Sequence, residues 1–227
     1  VLTALFATAM FVLTVGFFLK VSEDYSRLWA ASWFGASAVT VSADAIYDAR
    51  ATDTIGSLAG AVGSKVLLAS GVTLSSGGLD TDTVMAGIVD GAGGLTKLGT
   101  GVLELSAANT FTGAATASGG TLRVSGTLAD RVAVSVLNTG RYEALATDTI
   151  GSLAGSADST VLLANGKTLT TGFLGTDTVY AGTISGQGAL VKIGAVLPDA
   201  EQGRLLGVTS GTPLLSVERV AFTYNDT

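Results

Sequence analysis

The chain has 227 residues, 31 of them glycine, with no cysteine and no histidine, and 12 Lys plus Arg against 18 Asp plus Glu for a formal charge of −6. That inventory excludes thiol nucleophiles, zinc fingers, disulfides and every Ser-His or Cys-His catalytic pair. With no basic run, the electrostatic footprint of a nucleic-acid binder is also missing, and a charged share of only 13% beside so much glycine points to turn-rich β structure.

The amino end reads VLTALFATAMFVLTVGFFL, 19 residues without a charge, before the polar KVSEDYSR. At about 1.5 Å per residue a helix over 1–19 is roughly 28 Å long, close to the ~30 Å hydrocarbon thickness of a bilayer. The expectation is therefore a membrane partner, reached through residues 1–19. A secretory leader fits less well, because no basic residue precedes the apolar run and Ala36-Ser37-Ala38 lies beyond a charged loop. The next apolar stretch, Leu28 to Val41, is 14 residues, short for a second span, with Trp29 and Trp33 on one helical face. Residues 1–41 thus read as a hydrophobic helix or helical hairpin. The stretch FFLKVSEDYSRLWAASWF resembles the membrane region of bacterial sugar transferases that move a sugar phosphate onto a polyprenyl phosphate lipid. The match covers residues 5–36 and implies an anchor fragment, without the catalytic part.

The middle is repetitive. TDTIGSLAG occurs at Thr52 to Gly60 and again at Thr147 to Gly155, an offset of 95 residues, and the alignment continues without a gap to Gly99 and Gly194. Short apolar runs recur in both copies, Val66-Leu67-Leu68 with Val161-Leu162-Leu163, Leu74 with Leu169, and Leu95 with Leu190, bounded by Gly, Ser, Asp and Asn. Such runs read as short strands joined by tight turns, and the fixed long-range spacing reads as a β-solenoid. At about 20 to 25 residues per coil each unit holds roughly four coils, with Leu, Ile and Val stacked inside and Ser and Thr outside.

Leu95 to Leu128, LTKLGTGVLELSAANTFTGAATASGGTLRVSGTL, is similar to the autotransporter-associated β-strand repeat of bacterial passenger regions. The resemblance spans residues 43–194. It implies a right-handed parallel β-helix at the cell surface or outer membrane that serves as a stalk, adhesin scaffold or export-assisting element. A carboxyl-terminal barrel with dyad alternation and aromatic girdles is absent from the expected elements.

Three stretches of the middle invite a site reading. GGLDTDTV, Gly77 to Val84, resembles a calcium turn, but Asp80 becomes Gly175 in the second copy, which favours a turn aspartate. DGAGGL, Asp90 to Leu95, lacks the last glycine of a dinucleotide fingerprint. No acidic pair recurs in a way that suggests glycoside hydrolysis. No catalytic, cofactor-binding or metal residue is assigned, and no cofactor is expected.

After Gly194 the repeat gives way to AVLPDAEQGRLLGVTSGTPLLSVERVAFTYNDT. Asp199 and Gln202 suit a helix start and Gly207 its end, and Leu214 to Tyr224 reads as a strand. This segment is similar to part of the effector-sensing domain of GntR-type transcription regulators, although Glu218 and Arg219 read as strand-edge charges rather than a ligand clamp.

The expectation is thus an all-β chain: a solenoid over 42–194, an amino-terminal hydrophobic segment over 1–41 and a small helix-strand segment over 195–227. The three resemblances together suggest a chimera or a mis-joined fragment. Its function reads as a non-enzymatic surface scaffold or adhesin-type passenger segment, with an unknown surface or host ligand. An effector-binding fragment of a regulator is the alternative, and a transferase membrane anchor the third reading.

Overall fold

Four-residue strands with alternating burial are the building unit. In Val102–Leu105, Thr121–Val124, Ala133–Val136 and Thr160–Leu163 the second and fourth residues are buried and the first and third half-exposed, as the two-residue period of a strand requires. So short a strand buries too little to stand alone. It persists because a like strand lies on each side of it.

The computed structural model describes residues 13–15, 37–196, 200–207 and 214–221. In it most strands pair in parallel with one about 20 residues further on: Val102 lies opposite Thr121, and Thr121 opposite Arg141. The chain passes over three faces in turn. The first face holds Ala38–Val41, Ser57–Gly60, Thr83–Met85, Val102–Leu105, Thr121–Val124, Arg141–Ala144, Thr160–Leu163 and Thr183–Gly186. The second holds Ile46–Ala49, Lys65–Leu68 and Ile88–Gly91, and later Asp148–Thr149, Thr168–Thr171 and Ala189–Val196. Between these two groups the second face is carried by non-strand residues, with Thr110 N donating to Val89 O at 2.9 Å and Ala108 bridging Thr127 in parallel. The third face holds Asp53–Ile55, Thr73–Ser76, Gly94–Lys97, Ala115–Ala117, Ala133–Val136 and Ser152–Gly155. The result is a parallel β-solenoid of about 8 turns, of the right-handed type.

The core is a set of stacked columns. On the first face Leu103, Leu122, Tyr142 and Val161 follow one another in register, as do Met85, Leu105, Val124, Ala144 and Leu163. On the third face Leu74, Leu95, Ala115, Val134 and Leu153 do the same.

The repeat differs from expectation in two respects. It starts earlier: Ala38–Val41 and Ile46–Ala49 of the first copy are matched, 95 residues on, by the strands Ala133–Val136 and Arg141–Ala144. And it does not span a whole number of coils. Ser57–Gly60 lies on the first face, while its equivalent Ser152–Gly155 lies on the third; Lys65–Leu68 is on the second and Thr160–Leu163 on the first. Ninety-five residues carry the chain through four coils and two further faces, so each unit is set one face away from its predecessor.

The ends also depart from the sequence reading. Of the expected apolar helix over 1–19, only Leu13–Val15 is described, and it is a strand, with Leu13 opposite Val39 and Val15 opposite Val41. The first face offers unpaired backbone donors and acceptors at its edge, which an extended segment satisfies and a helix cannot. The remainder of that expected helix, Trp29 and Trp33 lie outside the described residues. No helix among the described residues is long and apolar enough to cross a membrane. At the other end a helix, Ala200–Leu206, stops at Gly207 with φ 64°, as expected of a glycine end. The strand Leu214–Ala221 then pairs antiparallel with Ala189–Val196.

Close packing between coils makes one glycine exacting. A Cβ on Gly60 would lie 2.3 Å from Met85 Sδ, and one on the equivalent Gly155 would lie 2.4 Å from the ring of Tyr180, the equivalent of Met85. Gly60→Ala is expected to lower stability by about 1–3 kcal/mol through overpacking. Adding Met85→Ala should cost less than the sum of the two single changes, measured by urea unfolding in a double-mutant cycle.

Candidate functional site

The nine-residue repeat sits at a corner of the prism. Its first threonine reaches forward one coil: Thr52 Oγ1 accepts from Thr73 N at 3.1 Å, and Thr147 Oγ1 from Thr168 N at 3.2 Å. Its aspartate closes a local turn, Asp53 Oδ1 accepting from Thr54 N at 2.8 Å and Asp148 Oδ1 from Thr149 N at 2.9 Å. In the second copy Asp148 also reaches back a coil, where Oδ2 accepts from Leu128 N at 2.9 Å. The motif is therefore a fastener between coils. The signal was its exact duplication, since a corner that must bond the next coil in one geometry admits few side chains.

Asp148 is the most perturbed acid. Burial pushes its carboxyl up to about 6, opposed by the N–H groups of Leu128 and Thr149 and aided by nearby Asp130. Beside it Tyr142 is fully buried, and its hydroxyl has no hydrogen-bond partner. Burial raises the Tyr142 phenol, and the Asp148 charge adds to that. Tyr142 lies inside the stack, and both Asp148 carboxylate oxygens accept from backbone N–H groups, those of Leu128 and Thr149.

The stretch from Gly94 to Val124 makes a full coil and a third, crossing the third, first, second, third and first faces. Its passage over the second face has no regular strand, and one side chain does the bonding instead. Asn109, 2% exposed, accepts from Val89 N at 3.0 Å and donates through Nδ2 to Ala107 O at 2.8 Å and Thr127 O at 3.1 Å, so it joins three successive coils. Phe111 fills the corner beside it and is fully buried. Lys97 is also buried, at 1% exposure, in the inward column between Ser76 and Ala117. Its Nζ donates to the carbonyls of Leu98 and Gly99. Burial lowers the Lys97 ammonium, against the pull of Asp80 and Asp82. Sequence patterning gave no warning of a lysine in the core.

The stretches weighed as sites are resolved into corner chemistry. Asp80 has φ 56° and accepts from Thr100 N at 2.7 Å, while Asp82 accepts from Val102 N at 2.8 Å. Gly175 replaces Asp80 in the second copy with φ 62°, the same left-handed backbone. Asp90 accepts from Thr110 Oγ1 and from Gly91 N, both at 2.8 Å, and faces Lys65 at 3.2 Å. The Thr110 bond, then the Gly91 N–H, then Lys65 hold its carboxyl below the usual range. Glu218 and Arg219 lie on the antiparallel strand at the sheet edge, opposite Lys192 and Val191 of the strand it covers. No group of three or more His, Cys, Asp or Glu is placed to hold a metal among the described residues.

On the outside of the first face, charges form a ladder across successive coils. Arg123 Nη1 lies 3.7 Å from Glu104, Arg123 Nε bonds Glu143 at 2.6 Å, and Arg141 Nε stands 2.7 Å from the other Glu143 oxygen. The third face carries hydroxyls instead: Thr54, Ser75, Thr96, Thr116 and Ser135 are in register, one per coil. Beside Thr96 and Thr116 runs a groove of about 210 Å³, lined by small residues such as Gly71, Gly93, Gly94 and Ala114. It contains no titratable side chain and is below the usual size of a ligand pocket.

A family model described as Passenger-associated-transport-repeat matches residues 95–124. No curated protein and no solved structure matches the chain. The match falls on the segment in which Lys97, Asn109 and Phe111 occupy the interior, and it supports the passenger-repeat resemblance there. The resemblances of 5–36 to sugar transferases and of the carboxyl end to GntR-type regulators find no support in the fold or the comparisons, nor does the chimera reading.

Two outcomes test these assignments. Asn109→Ala should cost about 1–3 kcal/mol, because Val89 N loses its acceptor inside the stack, as read by chemical denaturation. For Asp148 the folded pKa lies above its unfolded value. Its contribution is therefore fully present below the unfolded pKa and is lost as pH rises through about 6. Wild type should lose of the order of 1–3 kcal/mol more than Asp148→Asn between about pH 4 and pH 7, measured by urea unfolding at stepped pH.

Proposed function

We propose that this chain is a passenger-type surface scaffold of the autotransporter kind: a rod built for stacking, carrying its variable side chains outward at the cell surface. The observation that carries this reading is the passenger-repeat match over 95–124, which coincides with a coil whose buried Lys97 and Asn109 serve its neighbours rather than a ligand. The role is non-enzymatic. Asn109, Asp80, Asp82 and Asp148 spend their side chains on joining coils, and the groove beside Thr96 offers no acid, base or nucleophile beyond hydroxyls. An adhesin-type version of the role would use the outward residues that differ between the two copies, among them Glu143 in place of Asp48 and Arg141 in place of Ile46.

A lack of disulfides suits this role, since a chain that crosses a membrane unfolded must gain stability from stacking alone after it emerges. Antibody raised against the solenoid should label intact producing cells, and external protease should remove that signal without lysis. Labelling that appears only after the cells are broken would refute the surface assignment.

A further inference from the structure

The two copies pack alike although they occupy different faces. Gly60 accommodates Met85, and Gly155 accommodates Tyr180. Ser64 Oγ donates to Ala61 O at 2.7 Å, and Ser159 Oγ to Ser156 O at 2.7 Å. A Cβ on Gly91 would strike Leu68 O, and one on the equivalent Gly186 would strike Leu163 O. The forward bond of Thr52 is matched by that of Thr147. Most inward residues are the same in both copies, Val39 with Val134, Tyr47 with Tyr142, Val66 with Val161 and Leu74 with Leu169, with Met85 to Tyr180 and Val89 to Ile184 among the exceptions, while outward ones change, Lys65 to Thr160 and Asp90 to Ser185. The packing of the interior is therefore kept when the unit is turned by one face.

We infer that the 95-residue unit is a face-independent cassette that sets the length of the rod. Removing one unit at the shared TDTIGSLAG leaves a continuous solenoid, because every strand of the second copy then drops into the place its equivalent holds in the first. Everything after the junction is turned by one face: Thr183–Gly186 passes from the first face to the second, and Ala189–Val196 from the second to the third. Exchange between the copies thus changes two properties together, the reach of the rod and the side on which its distal surface is presented. This inference rests on the fold alone, so its failure would leave the surface reading standing.

The test uses the full chain and three internal deletions. Deleting residues 58–152 removes 95 residues and restores TDTIGSLAG across the junction. Deleting 58–151 or 58–153 removes one residue fewer or one more, and so breaks the inward and outward alternation of the strand at the junction before the next corner can absorb the difference. The 95-residue deletion should keep a β-sheet circular dichroism spectrum and a single cooperative unfolding transition, and the other two should unfold at a lower urea concentration. Spin labels at Thr40→Cys and Ser185→Cys, seven coils or roughly 34 Å apart at ~4.8 Å per coil in the parent, should give one narrow distance about half as long. If the 95-residue deletion unfolds like its neighbours, or gives only a broad distance distribution, the cassette is overturned.

Discussion

Every part of this molecule depends on one constraint: the backbone groups of each coil are satisfied by the coils on either side of it. A parallel strand of four residues has no hairpin partner, so its N–H and C=O groups must find the next coil or remain unpaired inside the protein, at a cost of about 1–3 kcal/mol each. Coil length can vary, from 19 residues between Ala38 and Ser57 to 25 between Gly60 and Met85, because corners absorb the difference. Register cannot. Where the second face lacks a strand, Asn109 supplies an acceptor to Val89 and donors to the coil beyond, and further along Asp148 accepts from Leu128 N. Asn109 and Asp148 are thus stand-ins for missing ladder bonds.

The same constraint separates the interior from the surface. Inward columns run through every coil, so an inward substitution is felt by the coils on both sides. An outward residue meets only the neighbours in its own ladder. The Glu104–Arg123–Glu143 ladder and the hydroxyl column through Thr96 and Thr116 show two faces of one rod with different chemistry over the same kind of core. A repeat that advances by one face also removes any simple multivalent array, because equivalent outward positions such as Asp48 and Glu143 lie on different sides. Repetition here serves stacking.

Much of the fold was legible in the sequence. The strands, the glycine corners and the solenoid follow from apolar runs of three to five residues at fixed long-range spacing. The early start of the repeat was hidden because Ile46–Ala49 and Arg141–Ala144, IYDA and RYEA, share only their inward Tyr and Ala, while the outward positions differ. Two of every four positions in such strands carry the fold, and the other two are free to change. The rotation by one face was hidden for another reason: coil length varies, so an offset of 95 residues does not reveal which face a strand has reached. Lys97 was illegible because its burial depends on the backbone carbonyls of the corner that follows it, which no side-chain pattern encodes.

On the second face the last coil meets one of two requirements, backbone pairing, without the other, column packing. The antiparallel strand Leu214–Ala221 lies against Ala189–Val196 and gives that edge its hydrogen bonds, opposing Lys192 with Glu218. It does not continue the columns. Lys192, the equivalent of buried Lys97, is exposed, and Leu215, Val217 and Val220 on the covering strand are exposed as well. The edge has been satisfied while the core above it has not. On this face the backbone edge, which invites association when unpaired, is closed, while apolar side chains stay on the surface, where scattered ones are tolerated. A reversed strand closes the edge without adding another coil.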